Sequence, residues 1–180
     1  IAWNSLYMLT GAEPDEQEAR RFDTCLILHA DHELNASAFS ARVTSSTLSG
    51  IYSSVMAAIG TLKGPLHGGA NEQVARMLLE IKSPDRLDAW LEATLASGEK
   101  IMGFGHRVYK EGDPRAKILK AMSREITREV GHPEMYEMSA RLEELMGQRK
   151  GLICNVDFYS ASVYHSMGIP IDLFTPVFAT

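Results

Sequence analysis

The sequence has few of the features that mark secreted or membrane proteins. Only two cysteines occur, Cys25 and Cys154. Each lies in an apolar run, which predicts two small buried thiols in a reducing compartment, here taken to be the cytoplasm. A disulfide, a metal ligand or a nucleophile is the alternative for either residue. No apolar run is long enough to cross a bilayer, and no basic-then-apolar leader opens the chain.

The chain also lacks an excess of positive charge. The formal net charge is −5, with acids and bases mixed along the chain. Without a basic patch we expect no nucleic-acid partner, although an acidic protein can still bind an anionic ligand locally. The 180 residues, 45% hydrophobic and 23% charged, fit one or one and a half soluble globular domains. The chain opens without methionine and stops inside an apolar pattern, so we expect an internal piece of a longer protein.

Sustained two-residue alternation is missing as well, so the sequence predicts an all-α fold. Residues 36–60 are rich in alanine, serine and glycine, a pattern typical of closely packed, largely buried helices. A later helix carries apolar residues four apart: Ile118, Met122, Ile126 and Val130. Residues 71–162 are richer in charge than the flanks, and we expect a smaller helical lobe there, inserted between two parts of a tighter core.

The most informative stretch is Gly64-Pro65-Leu66-His67-Gly68-Gly69-Ala70-Asn71. A helical pattern starts at Ala70 and continues through Val74, Met77, Leu78 and Ile81, which places His67 just before a helix start. The positive end of a helix dipole disfavours protonation of a nearby ring. A neutral imidazole can donate a hydrogen bond to a carbonyl oxygen, and glycines let a ligand approach the backbone. The alternative is an ordinary loop histidine.

Two further loop residues share this character. His106 lies between Gly105 and Arg107, shortly before a helix, and Asp157 lies at a helix start. Two imidazoles and a carboxylate suit acid–base chemistry at a carbon next to a carbonyl. The carboxylate takes the proton, one ring stabilises the enolate oxygen and the other polarises a second carbonyl. A helix cap for Asp157 and a turn histidine for His106 remain the alternatives.

Other polar residues suggest ligands of different kinds. Arg115 and Arg107 are candidate anchors for a small diacid, because guanidinium binds carboxylate through two parallel hydrogen bonds, although a solvated arginine at a helix start is as good an interpretation. The run from His29 to Glu33 offers acids and histidines for a metal, but the histidines are three apart rather than four. A substrate-binding His32 braced by an acid is favoured. We interpret His132 and His165 as structural.

Four motifs in order now carry a resemblance: His29-Ala30-Asp31-His32-Glu33-Leu34-Asn35, the His67 stretch, Gly103-Phe104-Gly105-His106-Arg107-Val108-Tyr109 through Asp113-Pro114-Arg115, and Asn155-Val156-Asp157-Phe158-Tyr159-Ser160. Together they closely resemble citrate synthases of the bacterial and archaeal type. The resemblance spans essentially the whole chain. It implies a cytoplasmic α-helical homodimer, or a hexamer, that condenses acetyl-CoA with oxaloacetate and hydrolyses the citryl thioester.

The resemblance also implies the domain layout. Residues 1–70 would belong to a large domain, 71–162 would form a small CoA-binding domain, and 163–180 would return to the large one. No metal and no tightly bound cofactor is implied, since coenzyme A enters as a substrate thioester. The partners are thus acetyl-CoA and oxaloacetate, with no nucleic acid and no membrane.

The motifs assign roles residue by residue. Asp157 would take the methyl proton, His67 would hydrogen-bond the thioester oxygen, and His106 would polarise the oxaloacetate carbonyl. His32 and Arg115 would hold oxaloacetate. The loop that would wrap coenzyme A, largely through backbone groups, comprises Lys100, Ile101, Met102, Gly103, Phe104, Gly105 and Arg107.

Members of the family carry two further substrate arginines, one shortly after the Thr-Pro-Val-Phe-Ala stretch and one from the partner subunit. Neither is present in these 180 residues, so we expect the chain by itself to be inactive. The nearest alternative activity is that of 2-methylcitrate synthase, which takes propionyl-CoA. A non-catalytic helical scaffold for CoA or another ligand, and a metallohydrolase built on His29, Asp31 and His32, are alternatives of other classes.

Overall fold

The structure, a computed structural model, describes residues 1–30, 34–106 and 108–179. Across these ranges it contains helices and turns, one isolated bridge between Phe104 and Cys154, and no strand. The α-helices are α1 (Ala2–Thr10), α2 (Glu16–His29), α3 (Ala36–Ser46), α4 (Ile51–Leu62), α5 (Ala70–Ile81), α6 (Pro84–Ser97), α7 (Pro114–Glu129), α8 (Pro133–Lys150), α9 (Val156–Ser166) and α10 (Phe174–Ala179), with a 3-10 turn at Ile171–Leu173. The predicted all-α class is confirmed.

Helix ends follow the capping signals in the sequence. Asp15 accepts from the Glu18 amide while the Glu18 side chain accepts from the Asp15 amide, a complete capping box for α2. Gly11 and Gly98 close α1 and α6 in the left-handed conformation. Ser83 holds the cap position of α6, but its side chain makes no cap hydrogen bond.

The chain divides into two compact units. The first unit comprises Ile1–Ala70 and Asp172–Thr180, and the second comprises Asn71–Ile171. How these units correspond to the domains of a complete enzyme, with a return at residue 163, stays a prediction. None of the described helices has the length and apolar character needed to cross a membrane.

The first unit has its core between α1 and α2, with α10 against α2 and α4. Leu6, Phe22 and Cys25 are buried there, together with Phe174 and Val177 of α10. Cys25 forms no disulfide within the described residues, and burial raises its pKa to about 12, so it behaves as the predicted small apolar residue.

The prediction that residues 36–60 are largely buried is wrong for this chain. α3 and α4 form a hairpin in which small residues allow a close approach, and Ser40 Oγ donates to the Ala57 carbonyl at 3.2 Å. Because each helix covers only one face of the other, α3 has no buried residue, and α4 has only Ser54 and, at its end, Leu62. Tyr52 is 85% exposed and Phe39 57%.

The second unit is built around α9. Phe158, Tyr159, Ala161, Val163 and Tyr164 have no exposed surface, and α9 packs against α7 and α8, which in turn receives α6. α5 presents the predicted stripe: Val74, Met77, Leu78 and Ile81 are all buried. Because the middle of α9 is buried, its N-terminal turn is where a polar side chain of this helix, that of Asp157, is partly exposed.

The apolar stripe predicted for α7 is wrong in part. Ile126 is buried, but Ile118 and Val130 are 47% and 43% exposed. The buried face instead carries Ala116, Leu119, Ser123, Ile126 and Thr127. Small and hydroxyl residues lie on this face because α9 comes close, and Ser123 Oγ is 2.7 Å from Ser162 Oγ.

Candidate active site

Asp157 lies in the first turn of α9, where Asn155 is the cap residue. Asn155 Oδ1 accepts from the Asp157 amide at 3.0 Å. The Asp157 side chain is half-buried by accessible area, and no described side chain donates to its carboxylate. Burial raises the pKa of Asp157 to about 7. The positive charge of Arg115 partly opposes this shift, and the negative charge of Asp113 adds to it.

Asp113 begins α7 and is 2% exposed. Its Oδ1 accepts from the Arg115 amide and from Arg115 Nε, both at 3.0 Å, and its Oδ2 accepts from Arg115 Nη2 at 2.8 Å and from the Val156 amide at 3.1 Å. Burial by itself would raise the pKa of Asp113, but the hydrogen bonds and charge of Arg115 hold it below its usual range. This carboxylate therefore joins the start of α7 to the start of α9.

His106 is oriented by its own loop. The amides of Val108 and Tyr109 both donate to its Nδ1 at 3.0 Å. A ring nitrogen that accepts two amide hydrogens carries no proton, so the neutral ring is protonated on Nε2. The Tyr109 ring lies beside His106, with centroids 4.6 Å apart and planes tilted by 31°, and the Arg115 guanidinium lies over Tyr109 at 5.9 Å. His106 and Arg115 thus share one aromatic support.

The loop before His106 pairs with the segment before α9. The Gly105 amide donates to the Ile153 carbonyl at 2.8 Å, and the Asn155 amide donates to the Gly103 carbonyl at 2.9 Å. Asn155 Nδ2 also donates to the Gly105 carbonyl at 3.0 Å. Gly103 has φ +84°, and a Cβ there would lie 2.8 Å from Phe158 Cδ2, so this position requires glycine.

His67 lies in the first unit, in the turn before α5. The Ser37 amide donates to its Nε2 at 3.3 Å, and Ser37 Oγ is 2.6 Å from the same atom. Because Nε2 accepts an amide hydrogen, the neutral ring carries its proton on Nδ1. Burial lowers the pKa of His67, which favours the neutral form. At Gly69 a Cβ would lie 2.7 Å from the Lys63 carbonyl oxygen, so the turn that holds His67 also requires glycine.

A second polar cluster lies behind the paired loops. Glu143 on α8 accepts from Lys120 Nζ at 2.6 Å, from the Tyr159 hydroxyl, and from Cys154 Sγ at 3.4 Å. Burial would raise the pKa of Glu143, but Lys120 and Tyr159 hold it below its usual range. Burial and the Glu143 charge raise the pKa of Cys154 to about 12. Cys154 is free and buried, as predicted.

The chain matches the family described as "Citrate synthase, C-terminal domain" over residues 1–180. The chain belongs to the citrate synthase family. The resemblance inferred from the four motifs is therefore confirmed.

Relatives and solved structures of this family support the same conclusion. The chain is 60% identical to "Citrate synthase 2" of Bacillus subtilis, over 99% of this chain and 48% of that protein. It is 46% identical to the 2-methylcitrate synthase of Shewanella oneidensis, over 99% of this chain and 48% of that protein. The chain spans about half the length of the curated relatives it matches.

A solved citrate synthase has the same fold. The enzyme of Thermoplasma acidophilum, in a ternary complex with carboxymethyl coenzyme A and oxaloacetate, superposes with a TM-score of 0.91 at 40% identity. The match covers 99% of this chain and 49% of that chain.

The structure brings some of the predicted site residues together within one unit. His106, Arg115 and Asp157 all lie in the second unit, linked through Tyr109 and Asp113. His67 lies in the first unit with its own partner, Ser37. His32 and Arg107 lie outside the described residues, so their predicted roles remain predictions.

The predicted loop residues differ in exposure. Lys100 is exposed, Ile101 and Gly103 are buried, and Met102, Phe104 and Gly105 are half-buried. Asp31, His32 and Glu33 of the metal alternative are likewise outside the described residues, and elsewhere in the described ranges no group of three histidine, cysteine or acidic side chains could hold a metal.

Two residues of the site were missed from the sequence. Ser37 is thirty positions from His67, and nothing in the local sequence ties them together. The sequence analysis assigns Asp113 no role of its own, although the Asp-Pro-Arg order places a carboxylate and a guanidinium two residues apart. That spacing is the signal that could have revealed the pair.

Proposed function

We propose that the complete protein is a citrate synthase. It joins the methyl carbon of acetyl-CoA to the keto carbon of oxaloacetate, and water then cleaves the thioester to give citrate and coenzyme A. The observation that carries this proposal is the 60% identity to a citrate synthase across 99% of the chain. The states of His67, His106 and Asp157 add to it. The proposed reaction calls for no metal and no bound redox cofactor.

In this proposal Asp157 removes a proton from the acetyl methyl group. A general base works best when its pKa lies near the working pH. Burial raises the pKa of Asp157 to about 7, which places this carboxylate at such a value. The absence of a described side-chain donor leaves its oxygens to the substrate.

His67 has the complementary role. With Nε2 occupied by the Ser37 amide, the Nδ1–H donates to the thioester oxygen as negative charge develops there. A neutral donor suits this task because it stabilises the enolate without being a strong acid. The Ser37 contact fixes which nitrogen does so.

His106 and Arg115 act on oxaloacetate. The His106 Nε2–H polarises the keto oxygen, since its Nδ1 accepts from two amides. Arg115 uses Nε and Nη2 for Asp113, which leaves its remaining donors for a substrate carboxylate. We propose that His32 binds oxaloacetate as well.

Residues 71–162, which lie within the second unit, are the proposed CoA-binding domain, with the loop of Lys100–Gly105 and Arg107 around coenzyme A. Phe104 and Cys154 face each other between the Gly105–Ile153 and Asn155–Gly103 hydrogen bonds. In such a pair the residues' own amide and carbonyl groups point away from the partner segment. We therefore propose that the amide and carbonyl groups of Phe104 are the backbone groups that bind coenzyme A.

Turnover by the full-length protein tests the proposal. We expect citrate from acetyl-CoA and oxaloacetate, and a loss of kcat of about 100- to 10,000-fold for Asp157→Asn. Unchanged turnover in Asp157→Asn would support a non-catalytic scaffold or another base. Stoichiometric zinc together with hydrolase activity would favour the metallohydrolase alternative.

The second candidate is 2-methylcitrate synthase, favoured by the 46% identity to the Shewanella enzyme. One additional methylene changes discrimination by only about 10- to 200-fold. Comparing kcat/KM for acetyl-CoA and propionyl-CoA decides between them, and we expect acetyl-CoA to be preferred. A higher value for propionyl-CoA would reassign the enzyme.

We also propose a cytoplasmic homodimer, with a hexamer as the alternative assembly. The exposed apolar residues of α3 and α4, among them Phe39, Ile51, Tyr52 and Met56, support an interface on that hairpin. Light scattering of the full-length protein measures the assembly. Tyr52→Glu should weaken it, and an unaltered mass would remove the hairpin from the interface.

The 180 residues by themselves are proposed to be inactive, because they span about half of the relatives they match. A purified 180-residue chain should give no citrate above the uncatalysed background. Detectable turnover would contradict this.

A further inference from the structure

We propose that Asn71 is a positioning residue that holds the peptide of Asp157 in place from the side of its carbonyl. This inference rests on the proposed role of Asp157 as the base. Asn71 is the first residue of the second unit and lies in the first turn of α5. It has no exposed surface.

The contacts of Asn71 are with the first turn of α9. Its Nδ2 donates to the Asp157 carbonyl at 3.1 Å and also contacts Ser160 Oγ. Ser160 Oγ donates to the Val156 carbonyl at 2.8 Å, so it acts as an acceptor toward Asn71. Both hydrogens of the Asn71 amide are thus directed at one helical turn.

The oxygen of the Asn71 side-chain amide supports the same role. Asn71 Oδ1 is buried and receives no hydrogen bond from any described residue. Turning the amide over would place Oδ1 against the Asp157 carbonyl oxygen, so α9 fixes its orientation. A buried acceptor without a donor costs free energy. The hydrogen bonds that Asn71 Nδ2 makes to the first turn of α9 offset that cost.

With Asn71, the Asp157 peptide is held at both ends. Asn155 Oδ1 accepts from its amide at 3.0 Å, and Asn71 Nδ2 donates to its carbonyl at 3.1 Å. These two hydrogen bonds restrain the Asp157 backbone from its amide and from its carbonyl. Proton transfer from carbon depends steeply on the distance and angle of the base, so the position of this peptide affects the rate of that step.

The test uses Asn71→Asp and Asn71→Ala in the full-length protein. Asn71→Asp keeps the size but faces the carbonyl with an oxygen, and Asn71→Ala removes both bonds. We expect kcat to fall by about 10- to 100-fold, with the KM of either substrate changed by less than about threefold. The deuterium isotope effect on kcat with methyl-deuterated acetyl-CoA should rise, because proton removal becomes more rate-limiting.

Ser139→Ala is the matched control. Ser139 is also fully buried and donates within its own helix, to the Met135 carbonyl at 2.8 Å, away from Asp157. It should lower the denaturation midpoint and leave kcat and the isotope effect unchanged. If the Asn71 variants lose turnover only in proportion to folded protein, with an unchanged isotope effect, the inference is wrong.

Failure of the proposed function has a separate outcome. If the wild-type protein turns over neither acyl-CoA, that function is wrong, and hydrogen exchange then decides the inference. The amides of residues 156–161 should exchange faster in Asn71→Asp than in wild type or Ser139→Ala. Equal exchange in all three proteins would overturn it.

Discussion

Asp113 and Asp157 begin neighbouring helices of the second unit, and their acid strengths move in opposite directions. Asp113 is the more deeply buried, yet its pKa is lowered, because Arg115 and two backbone amides satisfy its oxygens. Asp157 is half-buried by accessible area, and removal of its carboxylate from water raises its pKa to about 7, while no described side chain donates to it. Burial therefore raises the pKa of the carboxylate that lacks partners, whereas the hydrogen bonds and charge of Arg115 outweigh burial at Asp113.

The contrast separates two functions that one residue type can serve. A carboxylate with all its hydrogen bonds made is an anchor, and here it fixes Arg115 and the start of α9. A carboxylate held out of water without partners is a base that can take a proton near neutral pH. These opposite pKa shifts support the proposed role of Asp157 as the base.

Removing the anchor should have the largest effect on stability. Asp113→Asn leaves the half-buried Arg115 guanidinium without its counter-charge, and the free energy of unfolding should fall by about 3–5 kcal/mol. Urea denaturation of the full-length protein near neutral pH measures it. Asp85→Asn, at an exposed helix start, is the control and should stay within about 0.5 kcal/mol. Equal effects would mean that the ion pair contributes nothing.

Removing the base charge should stabilise the protein, with a dependence on pH. The folded pKa of Asp157 is raised above its unfolded value, so the stability of the protonated state is complete below about pH 4 and is lost as pH rises through about pH 7. Asp157→Asn should gain about 1–3 kcal/mol over wild type by about pH 8, a value reduced for partial exposure.

Urea denaturation of both variants over a range of pH measures these effects, and the change in the free energy of unfolding should have opposite signs for the two aspartates. The pKa of Asp113 is lowered, so its stabilisation is present above the unfolded pKa and disappears in acid. The deficit of Asp113→Asn should shrink below about pH 4 while the gain of Asp157→Asn also vanishes there. A constant difference across the pH range for either variant would contradict its assigned pKa shift.

The cap of α9 should have a smaller effect. Asn155→Ala removes the bonds to the Asp157 amide and the Gly105 carbonyl, and should cost about 1–2 kcal/mol in thermal unfolding. Ser83→Ala at the α6 cap, whose side chain makes no cap bond, should change stability by less than about 0.5 kcal/mol. A loss at Ser83 equal to that at Asn155 would contradict the difference seen between the two caps.

Helix boundaries could be predicted from the sequence because their causes are local. The Asp15 cap, the left-handed Gly98 and the prolines that open α6, α7 and α8 each act within a few residues. The apolar stripe of α5 could be predicted equally well, because its spacing is also a local property of the sequence. Candidate site residues could be chosen on similar grounds, since loop position and residue chemistry pointed to His67, His106 and Asp157, whose roles stay predictions.

What could not be predicted depends on partners distant in sequence. The small residues of α3 and α4 indicated close packing, but not that only one face of each helix would be covered. The α7 stripe was misjudged because α9 selects small and hydroxyl side chains over Ile118 and Val130. The proton position on His67 depends on Ser37. The pKa difference between Asp113 and Asp157 depends on the burial of Asp157 and on the hydrogen bonds that Arg115 makes to Asp113.

The short antiparallel pairing of residues 103–105 with 153–155 has a mechanical consequence. Asn155 bonds Gly103 and Gly105 on one side and the Asp157 amide on the other. A displacement of the glycine segment is therefore transmitted to the helix start two residues further on. A molecule that binds to this loop and displaces it would therefore also shift the position of the Asp157 carboxylate.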